Sequence, residues 1–318
     1  MSGRFAPSPT GRLHIGNLRT AAIGWLAARS SQRAHLVRME DLDRVNSSPE
    51  HEEQQLADLS ALGIDWDGEI FRQSERFDRY HAAINYLVER GDTYECFCTR
   101  REVRREIDDA PRAPHLPADA YPGTCRELTV VERRRHRNSG RVPAIRLRAG
   151  SGTEPGAVDE IELVDQVAGR FAAVVDDVVL RRNDGVPSYN VAVVVDDAAQ
   201  GITQVVRARD LLPSTPRQIH LQQLLGFPTP KYAHVPLVVG PDGGRLAKRH
   251  GAVTLGDLDA LGHLPADVVR WVAQSIDVST DPHDAVASVS DLLEWFDLGS
   301  LSALGPDPIV FDGQLRQP

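Results

Sequence analysis

The chain has 318 residues, 41% of them hydrophobic and 25% charged, which describes an ordinary globule large enough for two or three structural units. No run approaches the ~18 apolar residues of a membrane span, and Met1-Ser-Gly-Arg-Phe5 leads straight into an apolar strand without a signal-peptide pattern, so a cytoplasmic protein with no membrane association is expected. The net charge of −9 argues against indiscriminate nucleic-acid binding.

Phe5 and Ala6 end a first strand, Pro7 and Pro9 fix a turn, and residues 18–29, rich in Ala and Leu, read as a helix. The apolar run 34–39 reads as a second strand, followed by an acidic turn at 40–43. A helix is predicted over 49–62, with Pro49 suited to its first position and Gly63 as its stop. Residues 77–90 form another amphipathic helix ended by Gly91. This alternation predicts a doubly wound α/β core. Ligands of such sheets bind at the carboxyl ends of the strands, where Arg4, Ser8 and Glu40 fall.

From Tyr94 to about Pro187 the pattern changes to short strands, turns and a Pro/Arg-rich middle, which reads as an insertion. Residues 96–148 carry 13 arginines against seven acidic residues, so this stretch is +6 and the remainder −15, a distribution compatible with selective RNA contact. The insertion closes with an alternating pair of β-like runs over 171–182 and a turn at Asn183-Asp-Gly185. The core resumes with 189–197, a strand at 201–207 and a helix over 216–225. Beyond Gly251, residues rich in Leu, Ala and Asp predict a small helical unit containing Trp271 and Trp295, and the Pro-rich tail from Pro306 reads as frayed. The predicted organisation is 1–94, first half of the core; 95–187, insertion; 188–251, second half of the core; 252–305, helical unit; 306–318, tail.

Three groups of residues carry chemistry. The first is the strand-turn-helix of residues 4–17, Arg-Phe-Ala-Pro-Ser-Pro-Thr-Gly-Arg-Leu-His14-Ile-Gly16-Asn17. A helix start offers unpaired N–H groups and a positive dipole end to a phosphate, Gly16 permits close approach to the backbone, and His14 adds a donor. A His-x-Gly at this position also reads as a simple helix cap. The second is Gly243-Gly-Arg-Leu-Ala-Lys248. With only two lysines, Lys231 and Lys248, against 34 arginines, a retained lysine marks a site where a compact ammonium is needed, as on a transferring phosphate. The third is Cys96-Phe-Cys98 with Cys125, all the cysteines of the chain within thirty residues. Disulfides are disfavoured in the cytoplasm, so thiolate ligation of Zn²⁺ is expected, with His115 or Asp119 as fourth donors of ordinary chemistry. Such a closed site would be structural, tying down a loop-rich segment with little core of its own.

The opening segment, Arg38-Met-Glu-Asp-Leu-Asp43, Pro187-Ser-Tyr189-Asn-Val-Ala-Val-Val-Val-Asp-Asp197 and Val206-Arg207 resemble the glutamate-specific branch of the class I aminoacyl-tRNA synthetases over residues 4 to about 251. The resemblance implies a Rossmann-like catalytic core and ATP-dependent adenylation of L-glutamate, with Mg²⁺ accompanying the ATP. It further implies that Arg4, Ala6, Ser8, Glu40, Tyr189 and Arg207 bind glutamate and that His14, Gly16, Asn17 and Lys248 bind ATP, with His14 and Lys248 catalytic. The fourth metal donor becomes Tyr121, with Cys96, Cys98 and Cys125. Asn17 stands where the family signature has its second His, and Arg245 and Ala247 replace the first Lys and the Ser of its basic loop. Only 67 residues follow Gly251, too few for the branch's helical anticodon-binding region, so no anticodon-binding domain is expected. The chain is more similar to shortened paralogues that attach glutamate to queuosine at the wobble position of tRNA(Asp), position 34; no obligate protein partner is expected. Alternatives are an atypical glutamyl-tRNA synthetase charging a 3′ end, a non-catalytic glutamate- or RNA-binding paralogue, and a nucleotidylyltransferase with a similar first signature.

Overall fold

In the computed structural model the residues described are 2–109, 121–150, 159–246, 253–278 and 286–315. The first half of the core runs β1 (Ser2–Phe5), α1 (Ile15–Arg29), β2 (Ala34–Met39), α2 (Pro49–Ala61), β3 (Phe71–Arg72) and α3 (Phe77–Glu89). Ser48 caps α2, its Oγ accepting from His51 N at 3.2 Å, with Pro49 at the position the sequence predicts. Next come β4 (Thr93–Cys96), α4 (Arg100–Asp109), α5 (Val130–Asn138), β5 (Ala144–Leu147), β6 (Glu160–Asp165), β7 (Gly169–Val174) and β8 (Val179–Arg181). The second half supplies α6 (Tyr189–Ala199), β9 (Ile202–Ala208), α7 (Thr215–Leu225), β10 (Lys231–Val235) and β11 (Val238–Val239). Helices α8 (Leu255–Asp259), α9 (Pro265–Ser275) and α10 (Gly299–Ala303) follow, and β12 (Ile309–Val310) ends the series.

The central sheet has the order β10-β9-β1-β2-β3, every pair parallel. From β1 the chain builds outward to β2 and β3, then returns to the other side of β1 with β9 and β10. The order therefore reverses between β1 and β9, and the crevice at the carboxyl ends of those two strands is where such a sheet receives a ligand. The intervening segment forms an antiparallel sheet, β4-β5-β8, and a hairpin, β6-β7. The two β-like runs predicted over 171–182 are indeed strands, but they do not pair with each other: β7 pairs with β6 and β8 with β5.

Residues 189–197 form a helix although four of them are valine, a residue that favours strands. Packing decides: Val191, Val193, Val194 and Val195 are all buried on α6, between α3 and α7. Helix α1 is buried on nearly every side, because the sheet covers one face and the segments around α9 and residues 289–294 cover the other. Its Arg19 is fully buried and donates to Ser275 Oγ (2.8 Å), Ser275 O (3.1 Å) and Pro236 O (3.1 Å). Burial without a carboxylate pushes its pKa down to about 10. The tail is not frayed over its described part. β12 pairs in parallel with β11, and Phe311 is buried edge-on against Trp271, ring centroids 5.4 Å apart.

His35 on β2 is fully buried, and neither ring nitrogen has a hydrogen-bond partner among the described residues. Burial, reinforced by the Arg29 charge, pushes its pKa down to about 4. Between that value and the ~6.5 of an unfolded chain the unfolded state binds a proton that the folded state refuses, so stability falls as pH drops through this window. The expected contribution is about 2 kcal/mol between pH 7 and pH 5. Urea unfolding across that range should show a pH slope reduced by one proton in His35→Leu; an unaltered slope would contradict it.

Candidate active site

A cleft of about 680 Å³ opens at the strand-order reversal, lined by β1 and its turn, the start of α1, Glu40, Tyr189, the end of β9 and the segment 236–246. Arg4, Ala6, Ser8, His14, Gly16, Asn17, Glu40, Tyr189 and Arg207, all predicted from the sequence, line this one space. Lys248 lies outside the described residues. Its neighbours bracket it: Arg245 and Leu246 line the cleft, Val253 O accepts from Ile15 N at 2.7 Å, and Thr254 bridges His14. The described residues on either side of it thus lie at the cleft and at the start of α1.

One end of the cleft rests on a buried charge network. Arg38, fully buried on β2, donates to Asp197 Oδ1 (2.8 Å), Gln200 Oε1 (2.9 Å) and Glu40 Oε1 (3.2 Å), with Asp196 at 3.9 Å. Arg4 Nε reaches the same Asp197 oxygen at 3.4 Å. Asp196 in turn accepts from Arg76 Nε (2.7 Å) and the Tyr80 hydroxyl (2.7 Å). Burial raises the Glu40 pKa, while Arg38 and Arg4 pull it back, leaving it above the ordinary carboxylate value. Burial and the Glu40 charge push Tyr189 up to about 12, so its hydroxyl remains a donor at neutral pH. Arg38, Asp196 and Asp197 were not among the predicted site residues. The signal was present, since charged side chains interrupt an apolar strand and a valine-rich helix there.

At the other end His14 caps α1. Its Nδ1 accepts from Gly16 N (3.1 Å) and Asn17 N (3.3 Å), while Asn17 Oδ1 accepts from His14 N at 3.1 Å. The capping reading of His-x-Gly therefore holds, and it corrects the expectation of unpaired N–H groups: Ile15 N is on Val253 O, Gly16 N and Asn17 N on His14 Nδ1 and Leu18 N on His14 O, so the positive end of the helix dipole and the second His14 nitrogen are what remain for an anion. With Nδ1 an acceptor, the neutral ring carries its proton on Nε2, and burial lowers the pKa against the opposing Asp210 charge, favouring that neutral donor. A methyl on Gly16 would stand 3.0 Å from the His14 ring and 3.2 Å from Val238 Cβ, so the glycine preserves the cap. Arg245 pairs with Asp210 at 3.1 Å across the cleft mouth.

The cysteines also converge. The Sγ atoms of Cys96, Cys98 and Cys125 lie within 4.8 Å of one another, and Cys98 Sγ is 3.5 Å from Cys125 Sγ. Tyr121 Oη stands 3.4 Å from Cys96 Sγ and 3.3 Å from Cys98 Sγ. Hydrogen bonds from the Cys125 and Cys98 thiols hold Cys96 far below its ordinary thiol pKa, so the cluster readily supplies a thiolate. The three sulfurs could hold a metal ion. Around them Arg146 lies over the Tyr121 ring at 3.8 Å, His136 stacks on Phe97 at 4.9 Å, and Asp177 accepts from Tyr94 (2.7 Å) and Arg126 (2.8 Å). His115 and Asp119 lie outside the described residues.

The sequence model of the tRNA synthetases class I (E and Q), catalytic domain, matches residues 1–292, and the chain belongs to that family. Within it, the chain is 56% identical over 281 residues to a glutamyl-Q tRNA(Asp) synthetase of Nocardia farcinica, covering 88% of this chain and 86% of the relative. It is 47% identical over 312 residues to one of Cutibacterium acnes, covering 97% and 85%. A glutamate–tRNA ligase of Aquifex aeolicus is 40% identical over 312 residues, but the chain spans 63% of that enzyme's length. Among solved structures, a glutamate tRNA ligase of Elizabethkingia meningosepticum in complex with its amino acid superposes with a TM-score of 0.75 at 27% identity, over 96% of this chain and 66% of that one. The fold is that of a class I synthetase catalytic domain, and the class is that of a ligase.

Asp197 is the carboxylate shared by two buried guanidiniums. Asp197→Ala leaves both with less neutralisation, and a loss of about 3 kcal/mol in denaturant-measured stability is expected. A loss under about 1 kcal/mol would show that the network is dispensable to the fold.

Proposed function

We propose that the protein activates L-glutamate with ATP to glutamyl-adenylate and transfers the glutamate to the queuosine base at position 34 of tRNA(Asp), in the cytoplasm. The observation that carries the reading is that one cleft is lined both by Arg4, Glu40, Tyr189 and Arg207 and by His14, Gly16, Asn17 and Arg245. The similarity to glutamyl-Q tRNA(Asp) synthetases along most of their length supports this acceptor. A second reading, glutamate loading of a tRNA 3′ end, is favoured by the similarity to the glutamate–tRNA ligases.

In the first step the α-carboxylate of glutamate attacks the α-phosphorus of ATP in line, pyrophosphate leaves, and the mixed anhydride remains. Arg4 and Arg207 orient the carboxylates through charge-assisted hydrogen bonds, Glu40 accepts from the α-ammonium, Tyr189 packs against the substrate and donates its hydroxyl, and Ala6 and Ser8 complete the wall. The nucleotide lies along Gly16 and Asn17, where the amino end of α1 and the Nε2–H of His14 face the phosphates. Lys248 neutralises the departing pyrophosphate. Mg²⁺, accompanying ATP, would supply positive charge that offsets that of the phosphates. In the second step a hydroxyl of the queuosine ring attacks the adenylate carbonyl and AMP is released. Catalysis is by positioning and charge stabilisation, with no covalent enzyme intermediate.

Zinc is the metal proposed for the thiols, with Tyr121 as fourth donor. Ligand sulfurs at about 2.3 Å from a tetrahedral Zn²⁺ stand about 3.8 Å apart, close to the spacing of the cluster and to the approach of Tyr121 Oη. The ion would hold together a module whose buried centre is Tyr94, Cys96, Phe97, Tyr121 and Cys125, and from which the exposed Arg100, Arg101, Arg104 and Arg105 of α4 and Arg134 of α5 offer positive charge to RNA.

With labelled glutamate and ATP, label is expected on queuosine-containing tRNA(Asp), not on the guanosine-34 form, and should survive enzymatic removal of the terminal adenosine. Label on the guanosine form, or lost with the terminal adenosine, would establish the ligase reading instead. Lys248→Ala is expected to abolish most glutamate-dependent ATP–pyrophosphate exchange while leaving the melting temperature unchanged. Elemental analysis should find one zinc per chain, with retention weakened in Tyr121→Phe and lost in Cys98→Ser; a full zinc complement in both would refute the ligand set.

A further inference from the structure

Arg207 on β9 is almost wholly buried, and two of its three guanidinium nitrogens are engaged by the protein. Nε donates to His234 Nε2 at 2.9 Å, and one terminal nitrogen donates to Thr215 Oγ1 at 2.8 Å. The other terminal nitrogen is buried without a partner among the described residues, on a residue that lines the cleft. Because His234 accepts at Nε2, its proton sits on Nδ1, which donates to Asp165 Oδ2 at 2.6 Å. The other Asp165 oxygen accepts from three backbone amides, those of Val167 (3.0 Å), Ala168 (2.8 Å) and His234 (3.1 Å). Asp165, His234 and Thr215 are all buried.

We propose that Asp165, His234 and Thr215 are positioning residues that fix Arg207 so that one edge of its guanidinium is left to receive a carboxylate of the amino-acid substrate. The proposal rests on the reading of glutamate as that substrate. The β6–β7 hairpin, which lies in sequence between the two halves of the parallel sheet, thereby governs the geometry of amino-acid recognition through Asp165. The device depends on a tautomer. An imidazole can accept from Arg207 Nε only if its proton is on the far nitrogen, and the Asp165 carboxylate selects that form. Burial pushes the His234 pKa down, against the pull of Asp165, which keeps the ring neutral and able to accept. Tyr232 stacks on the ring with centroids 5.9 Å apart and restrains its plane. Without these partners the long Arg207 side chain would pay the entropy of ordering on binding each substrate.

Asp165→Asn separates positioning from folding. An amide oxygen at Oδ1 keeps the three backbone bonds, while the amide NH₂ at the Oδ2 position donates to His234 Nδ1. The ring proton then moves to Nε2, where it opposes Arg207 Nε–H, donor against donor, and competes with Arg207 for Thr215 Oγ1, 3.1 Å away. Pyrophosphate exchange, measured with tRNA present, is expected to show a glutamate KM raised about 10- to 100-fold with the ATP KM and melting temperature nearly unchanged. Nitrogen-15 NMR should show the His234 proton moved from Nδ1 to Nε2. Thr215→Val, which removes the second acceptor, should raise the glutamate KM in the same selective way. Glutamate KM values unchanged in both variants, or losses shared equally by glutamate and ATP, would overturn the proposal while leaving the functional reading intact. Absence of glutamate-dependent exchange in the unmodified protein would remove the functional reading and the proposal together.

Discussion

The Asp197 carboxylate, buried between Arg4 and Arg38, is the constraint on which the cleft depends. Two guanidiniums cannot be kept out of water at the carboxyl ends of β1 and β2 without negative charge beside them, and α6 brings Asp196 and Asp197 there. Arg38 in turn holds Glu40 at 3.2 Å. The network therefore does two things at once: it ties the second half of the chain to the first, and it fixes an arginine and a glutamate at the cleft. Its members hold one another through direct contacts within the protein, and such fixed partners are the condition for electrostatic positioning to be effective.

The same logic recurs around the cleft. His14 uses one ring nitrogen to cap α1 and thereby commits the other to donation. Arg207 uses two nitrogens on His234 and Thr215, leaving a buried donor to spare. In the thiol module a small apolar centre is supplemented by the Asp177 ion pair and by sulfur atoms spaced for a metal ion. In each place the burial of most polar groups is offset by specific partners rather than by apolar packing, the second terminal nitrogen of Arg207 being the exception among the described residues.

Much of the cleft was legible because its chemistry is written in contiguous segments. Residues 4–17 announce a strand, a turn and a helix start, and the structure places Arg4, Ser8, His14 and Gly16 around one space. The supporting residues were not legible in the same way. Arg38, Asp196 and Asp197 sit in runs that read as core, and their meeting depends on the pairing of β1 with β2 and the packing of α6, which periodicity does not report. Asp165, His234 and Thr215 come from three separate elements and converge only through tertiary structure. The valine-rich segment 189–197 has strand propensity and folds as a helix, because neighbouring helices bury it. The tail reads as frayed from its prolines, yet Phe311 finds a buried place beside Trp271.

The most direct test is a crystal structure with a nonhydrolysable sulfamoyl analogue of glutamyl-adenylate. The glutamyl side chain is expected against Arg4 and Arg207, the adenosine beside Gly16, and the acyl-sulfamate link between them, with Arg38 and Asp197 unmoved. An analogue bound outside this cleft, or bound within it only after Arg4 and Asp197 have separated, would contradict the account.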